Sequence, residues 1–591
     1  MDQFSLLKLN DEQILAANYP GSVFLTACPG SGKTRTLTYK IAVELQKISS
    51  HREFLVAITY THRAADEIME RVENLGLETK QLWVGTIHSF CLEWILKPYS
   101  IYVPRLQSGF NLINQPDADA ILDDICKDLN GPKITSLDCG YFFQNDKPVP
   151  ISSDKEKHES IKLVLKKYFR TLRKTRKIDF ELILYFAAKL LREHPPIASA
   201  LSALFRLVLI DEYQDTKEIQ YQIVCSIFKA GLGKTKAFIV GDPNQAIFKT
   251  LGGYPIEVQH FRELSGLAIT ELSLVQNYRS SSKIIDYYAH FSLSNVNVVA
   301  ASEDKDYPSL ITYNTTISAK FVEDEIVRLV RYSMNDLNIQ QSQICIIGPQ
   351  WQSLAQLTRR LMARLPQCDF DGPGMVPFGR ELDNFWYKLS KICLSEPAPD
   401  MYIRRLRWSS EVLSALNIEG FKCSHSKSEL LKLLNKIKIH EKKGMAYLTS
   451  YFEEFLCAMK IDIDHFPGLK NHYLSFFEHA NRKIERAKKD GNELLENIES
   501  FKRVFRPRTG ITISTIHGVK GAEFDNIIAY SLLQGVVPHY KDPEQLQSAN
   551  KLLYVIMSRA RKNIFLISEA GKRNPPTFIL KNYNHQYSLP F

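Results

Sequence analysis

The stretch "SVFLTACPGSGKTRTLTYKIAVEL", Ser22 to Leu45, constrains the fold more than any other. An apolar run breaks into a glycine-rich turn, and the turn opens an amphipathic segment, so the pattern reads strand, loop, helix. Small residues let backbone N–H groups approach phosphate oxygens, the helix N-terminus adds its dipole, and Lys33 has the reach for β- and γ-phosphates. Ala27, Cys28, Pro29, Gly30, Ser31, Gly32 and Lys33 are therefore candidates to cradle a nucleoside triphosphate, with Thr34 on Mg²⁺. The strict pattern has glycine where this chain has Ala27; the competing reading is a structural glycine-rich turn.

A phosphate loop needs a second strand that ends in carboxylates to hydrolyse anything. "LFRLVLIDEYQDT" supplies Asp211 for Mg²⁺ and Glu212 as the general base on the attacking water. Adjacent residues on a strand point to opposite faces, so both reach a nucleotide only where the strand breaks into a loop. In "VGDPNQAIFKTLGG" another apolar run ends in polar residues. If that strand lies beside the "LVLI" strand, Gln245 orients the water or senses the γ-phosphate.

At 591 residues the chain is too long for one core, and about three to five domains are expected. No apolar run approaches the roughly 20 residues of a membrane span, and "MDQFSLLKLNDEQ" is not a signal peptide. A cytoplasmic protein with no membrane partner is the expectation. The ten cysteines are scattered without Cys-x-x-Cys, which predicts reduced thiols and no zinc or iron–sulfur site. The net charge of +10 is uneven. In "IKLVLKKYFRTLRKTRK" a helix would set Ile161, Leu165, Tyr168 and Leu172 on one face and Lys166, Arg170, Arg173 and Lys177 on another. The first face is core, and the second is a candidate phosphate-binding surface.

Further motifs follow in a fixed order. "LNDEQ" carries Gln13; "AITYTHRAADEIMER" carries Tyr60 and Thr61; "GTIHSF" carries Thr86, His88 and Ser89; and "IDFELIL" precedes the "DEYQD" strand. "LSLVQNYRSS" carries Tyr278 and Arg279, "ITISTIHGVKGAEFDNII" carries Thr515, His517, Lys520 and Glu523, and "LLYVIMSRARKNIFLI" carries Arg559. Over nearly the whole chain these segments resemble superfamily 1 helicases of the UvrD/Rep/PcrA type.

The resemblance implies an α/β protein with two RecA-like P-loop cores built on parallel sheets, each carrying a mostly helical insertion. By analogy the first core is 1–90 with 201–275 around an insertion at 91–200, and the second is 276–380 with 503–591 around an insertion at 381–502. It implies ATP and Mg²⁺ as cofactors and single-stranded or tailed DNA as partner. Lys33, Asp211, Glu212, Gln245, Arg279 and Arg559 would be catalytic, the two arginines as fingers. Gln13, Arg35 and Tyr278 would contact the adenine and Glu523 the ribose. Tyr60, Thr61, Thr86, His88, Ser89, Thr515, His517 and Lys520 would hold DNA, with a core tyrosine the alternative for Tyr60. The implied activity is ATP-driven 3′ to 5′ translocation and unwinding, in DNA processing or repair.

Two departures stand out. After Gln245 the family continues with an aromatic and then an aromatic–arginine pair, where this chain has Phe248, Lys249, Thr250 and Leu251. After "IFLIS" the short "EAGKRNPP" leaves little room for the family's strand-splitting hairpin, so that pin is expected to be reduced or absent. These changes keep a second reading open: a DNA-stimulated NTPase that serves as sensor or activator beside a nuclease partner, as in antiphage systems of the Gabija type. A degenerate helicase-like scaffold is a third reading.

Overall fold

Apolar runs of six to seven residues can hide both faces only inside a covered parallel sheet; four strands do so here, between two partly exposed edge strands. In the computed structural model their order across the sheet is Ile269–Leu274, Ser22–Ala27, Lys236–Gly241, Phe205–Asp211, Phe54–Thr59 and Leu82–Thr86. All the pairings are parallel. The "AFIV" strand does lie beside "LVLI", with Ile239 opposite Ile210. Parallel strands put their carboxyl ends on one edge, so the phosphate loop, Asp211, Asp242 and Tyr60 reach the same side.

The structure describes residues 8–129, 133–294, 297–378, 381, 384–489, 493–506 and 509–586. The expected boundary at Arg380 falls outside them. Two compact units are present, residues 1–329 with 516–591, and residues 330–515.

In the first unit, helices Gln115–Lys127, His158–Lys174 and Phe180–Glu193 follow the sheet's third strand, with a hairpin of Tyr141–Gln144 on Lys147–Pro150. The basic helix buries Ile161, Val164, Leu165, Tyr168 and Leu172 and leaves Lys166, Arg170 and Arg173 exposed. Lys177 is a correction. The helix ends at Lys174, Arg176 turns the chain at φ 52°, and Lys177 opens a two-residue strand. Asp179 ties this region together by accepting from the hydroxyls of Tyr141 and Tyr168 at 2.8 and 3.0 Å.

The same unit holds a parallel set of Ile311–Asn314, Ala560–Ile567 and Phe524–Ala529. After Ile567 the chain turns at Gly571 and enters the 3₁₀ helix Phe578–Asn582. Among the described residues this segment pairs only at Ala570 and Pro576, so it forms no hairpin of its own.

The second unit pairs Ile344–Gly348 and Phe370–Asp371 with Ile511–Thr515, all parallel, and "WQSLAQLTRRLMAR" forms the helix Trp351–Arg364. Its remaining helices close around Trp386, Leu448, Phe452 and Phe455, each at most 1% exposed. The fold is α/β with parallel sheets of the RecA-like kind and mostly helical insertions. No helix among the described residues is long and apolar enough to cross a membrane.

Candidate functional site

Gly30 and Gly32 take φ of 69° and 77°, a region that costs other residues steric strain. A Cβ on Gly30 would lie 2.6 Å from the Cβ of Arg279, and one on Gly32 would lie 2.6 Å from Nε2 of Gln13. Ala27 needs no glycine: it closes its strand opposite Leu274 with an ordinary negative φ. Gly32 is the N-cap of helix Lys33–Gln46, which places Lys33 and Thr34 in the first turn. Gln13 is buried and donates from Nε2 to the carbonyl of Ser31 at 2.7 Å, steadying the loop from outside. The Tyr278 N–H donates to the carbonyl of Gly30, and Asn277 Nδ2 donates to that of Pro29. Tyr278 is 37% exposed, and its hydroxyl is fixed by Asn10 and Gln276. Arg35 reaches the carbonyl of Lys8 at 3.4 Å.

The strand break that lets two neighbouring carboxylates face one place is a backbone device. Glu212 sits in the left-handed region at φ 54°, ψ 49°, a strain of about 1–3 kcal/mol for a residue with a side chain. Burial and the neighbouring Glu212 push the Asp211 carboxyl up to about 7. Burial works against Glu212 as well, but Lys33, Lys520, the amide of Gln214 and Arg559 hold its carboxyl below the usual range. Asp242 is 2% exposed, raised by burial and drawn down by Lys33. Buried carboxylates around one lysine, above a loop that side chains would block, fit a triphosphate with its divalent cation. Asp211 and the Thr34 hydroxyl are the protein groups suited to that cation. Among the described residues no cluster of three or more His, Cys, Asp or Glu side chains is arranged to hold a metal alone. Magnesium that keeps several waters and binds substrate phosphates does not require one.

Two arginines distant in sequence converge on this place. Arg559 is 2% exposed and donates from Nη2 to Oε1 of Gln245 at 2.8 Å. Gln245 in turn donates from Nε2 to Asp242 at 2.8 Å. Burial and the nearby Arg279 lower the Arg559 guanidinium to about 10. Arg279 donates to Glu523 at 2.6 Å and to the carbonyl of Ser558 at 2.9 Å. Glu523 also accepts from Arg561 at 2.7 Å. Burial opposes its charge, yet Arg279 and Arg561 hold its carboxyl down to about 2.

The candidate DNA residues divide into two groups. Tyr60 is 45% exposed, so it is not a core tyrosine. Its ring lies 5.1 Å from that of Phe248, which lies 5.2 Å from His517. Thr61 and Thr86 are N-caps, accepting from the N–H groups of Ala64 and Ser89. The Ser89 and Thr86 hydroxyls are 3.1 Å apart. His88 faces Phe180, its Nε2 is buried without a partner, and burial brings its imidazole down to about 3, so it is neutral. Lys520 turns inward: its Nζ lies 2.6 Å from Asp215 and also donates to the carbonyl of Gln245. Thr515 ends its strand opposite Gly348, in the second unit.

The "KTLGG" loop is braced from both sides. Lys249 lies 2.6 Å from Glu544, just before the helix Gln545–Met557 that leads to Arg559. A Cβ on Gly252 would be 3.0 Å from Cγ of Phe142, on the hairpin of the first insertion. Sequence reasoning passed over Gln214, Asp215 and Phe142. Gln214 bridges Glu212 and the N–H of Asp242, and "DEYQD" carried it in plain view. Nothing in the local sequence marks Phe142.

A family model for the UvrD/REP helicase N-terminal domain matches residues 9–264, and one for the UvrD-like helicase C-terminal domain matches residues 414–571. The chain is 25% identical to the ATP-dependent DNA helicase UvrD1 of Mycobacterium leprae, over 94% of this chain and 82% of that protein. It is 24% identical to the ATP-dependent DNA helicase PcrA of Leuconostoc citreum, over 92% of this chain and 80% of that protein. Identity rises to 30% with UvrD1 of Mycobacterium tuberculosis, over 47% of this chain and 38% of that protein.

Proposed function

The chain belongs to the UvrD/Rep/PcrA type of superfamily 1 DNA helicases, and from that premise we propose an ATP-driven motor that moves 3′ to 5′ along single-stranded DNA and separates strands in DNA processing or repair. The observation that carries this reading is the hydrogen-bonded series Asp242, Gln245, Arg559, which joins a strand end beside the phosphate loop to the helix Gln545–Met557. The directional element comes from the family alone.

Bound Mg²⁺–ATP supplies the scissile phosphoanhydride and the metal charge that neutralises it. Lys33 and the loop N–H groups hold the phosphates, while Thr34 and Asp211 orient the metal. Glu212, kept ionised by Lys33, Lys520 and Arg559, takes a proton from the attacking water at a carboxylate oxygen. Gln245 positions that water. Arg279 and Arg559 offset charge on the transferring phosphoryl, a contribution on the order of a thousandfold or more in rate. Lys520 touches both Asp215 and the Gln245 carbonyl while lying 5.4 Å above the Phe248 ring, so a base stacked near Tyr60 and Phe248 acts on the water-positioning residue.

ATP hydrolysis measured with and without single-stranded DNA tests the reading. Strong stimulation that disappears in Lys33→Ala and in Glu212→Gln supports it. A DNA-independent rate, or full activity in either variant, sinks it. One observation favours a second reading: the chain passes from Ile567 to Phe578 without a hairpin of its own. A DNA-stimulated NTPase beside a nuclease partner would hydrolyse ATP rapidly on a 3′-tailed duplex and leave its strands paired.

A further inference from the structure

In the unit of residues 330–515, "EPAP" follows helix Phe385–Cys393, and its prolines prevent that helix from continuing. Pro397, Ala398 and Pro399 form one wall of a cavity of about 320 Å³. Helix Tyr402–Ile418 contributes Tyr402 and Arg405, and helix Lys427–Lys436 contributes Leu431 and Asn435. None of these residues belongs to the nucleotide or DNA sets described above.

Arg405 is only 4% exposed. Among the described residues its guanidinium makes one hydrogen bond, from Nη2 to the carbonyl of Ile392 at 3.2 Å, and its Nε is buried without a partner. The titratable groups facing it are Tyr451, Cys393 and Tyr447, all of them neutral near pH 7. The one acid within its own helix, Glu411, lies six residues on, around the helix from it, and is held by Lys391 at 2.8 Å. Arginine does not shed its proton to escape burial, so among the described residues this cation lacks the anion that such burial demands. Beside it, Oδ1 of Asn435 is also buried without a partner, an acceptor lacking a donor.

We propose that this cavity binds a carboxylate carried on a small apolar group, with the carboxylate on Arg405, an adjacent N–H on Asn435 Oδ1, and the apolar part against Pro397, Pro399 and Leu431. The guanidinium fork matches a planar carboxylate. A phosphate would need further donors, and its extra oxygens would meet the Asn435 acceptor and an apolar wall. Apolar lining with a few convergent polar groups is the usual make-up of a small-ligand pocket. A free N-acyl amino acid and the C-terminal residue of a partner peptide present the same chemistry.

Calorimetric titration of the full chain separates these sources. The probes are N-acetyl-leucine, a leucine-ended tripeptide with a free C-terminus, the same tripeptide amidated, and inorganic phosphate. The expected result is binding of the first two and none of the others. A tighter tripeptide identifies a chain terminus, and equal affinities identify a free acid. Equal binding of the amidated tripeptide, binding of phosphate alone, or binding of no probe at millimolar concentration overturns the proposal. Arg405→Met keeps the volume and removes the charge; it should weaken the carboxylates by about tenfold or more with the thermal midpoint held or raised. Unchanged affinity in Arg405→Met overturns the assignment. Ala398→Phe fills the cavity without replacing the guanidinium and should abolish binding with the fold intact; retained binding there overturns it equally, which keeps the test decisive if Arg405→Met misfolds. No readout depends on ATP hydrolysis, so failure here is distinct from failure of the motor reading.

Discussion

Arg559 Nη2 lies 2.8 Å from Gln245 Oε1, a hydrogen bond between residues 314 apart in sequence. The contact joins a buried guanidinium to an amide whose other end is held by Asp242. Removing Arg559 therefore releases one end of Gln245 and removes a positive charge from the candidate phosphate site together. Arg559→Ala should lower kcat for DNA-stimulated ATP hydrolysis about a thousandfold with little change in KM. Steady-state hydrolysis in saturating single-stranded DNA measures this, and a rise in KM at constant kcat would assign Arg559 to ground-state binding instead.

Lys520 and Asp215 form a buried pair, with side chains 8% and 1% exposed. Burial raises the Asp215 carboxyl to about 7, and Lys520 offsets only part of that effect. Lys520→Ala should cost about 3–5 kcal/mol because it strands a buried carboxylate. The double variant Lys520→Met with Asp215→Leu should recover most of that loss in urea melts.

The Arg279 and Arg561 contacts to Glu523 make a pH-dependent contribution. The folded carboxyl is held at about 2, below its unfolded value, so its stabilisation is complete above pH 4.5 and is lost as pH falls toward 2. Solvent screens this half-exposed group, so the effect is modest. The gap in thermal midpoint between the native chain and Glu523→Gln should be constant from pH 6 to 8 and shrink below pH 4.5.

Phe248 lies between Tyr60 and His517, with centroids 5.1 and 5.2 Å away. Phe248→Ala should weaken single-stranded DNA binding by about 1–3 kcal/mol, the worth of one stacked base. Replacing Thr250→Trp and Leu251→Arg together should strengthen it and increase unwinding. Fluorescence anisotropy and a strand-separation assay measure the two effects, and no change in either would mean that the loop does not couple DNA to hydrolysis.

Gly252 combines φ 92° with a close approach of the Phe142 ring. Gly252→Val should destabilise the loop by about 1–3 kcal/mol through backbone strain and reduce DNA stimulation by displacing the hairpin. Phe142→Ala in the same chain should restore part of the DNA stimulation and leave the backbone strain. Comparing urea melts with stimulation ratios separates the two.

Local sequence and order along the chain were enough to read the parallel α/β class, the strand–loop–helix around Gly30, the carboxylates at the end of "LVLI" and the neighbouring "AFIV" strand. Each depends on short-range regularity: buried parallel strands are continuously apolar, and glycines mark positive φ. Tyr60 was open between core and surface because residue type says nothing about which way an aromatic faces. Lys177 was misplaced because a periodic pattern does not show where a helix stops.

The pairings that turn these parts into a site arose only in three dimensions. Lys520 reads as a phosphate contact from its motif, yet folding turns it onto Asp215, where a buried carboxylate outweighs solvent exposure. Phe142 lies 110 residues before Gly252, and its ring reaches that loop only because the first insertion folds back over the sheet edge. Arg405 looks like any helical arginine until its surroundings, among the described residues, prove to lack an acid. The sequence by itself determined which backbone segments are strands and phosphate loop, since those follow from local sterics and periodicity. Which charges meet, and which remain unpaired, was decided by tertiary packing, because electrostatic partnership depends on distance and burial rather than on position in the chain.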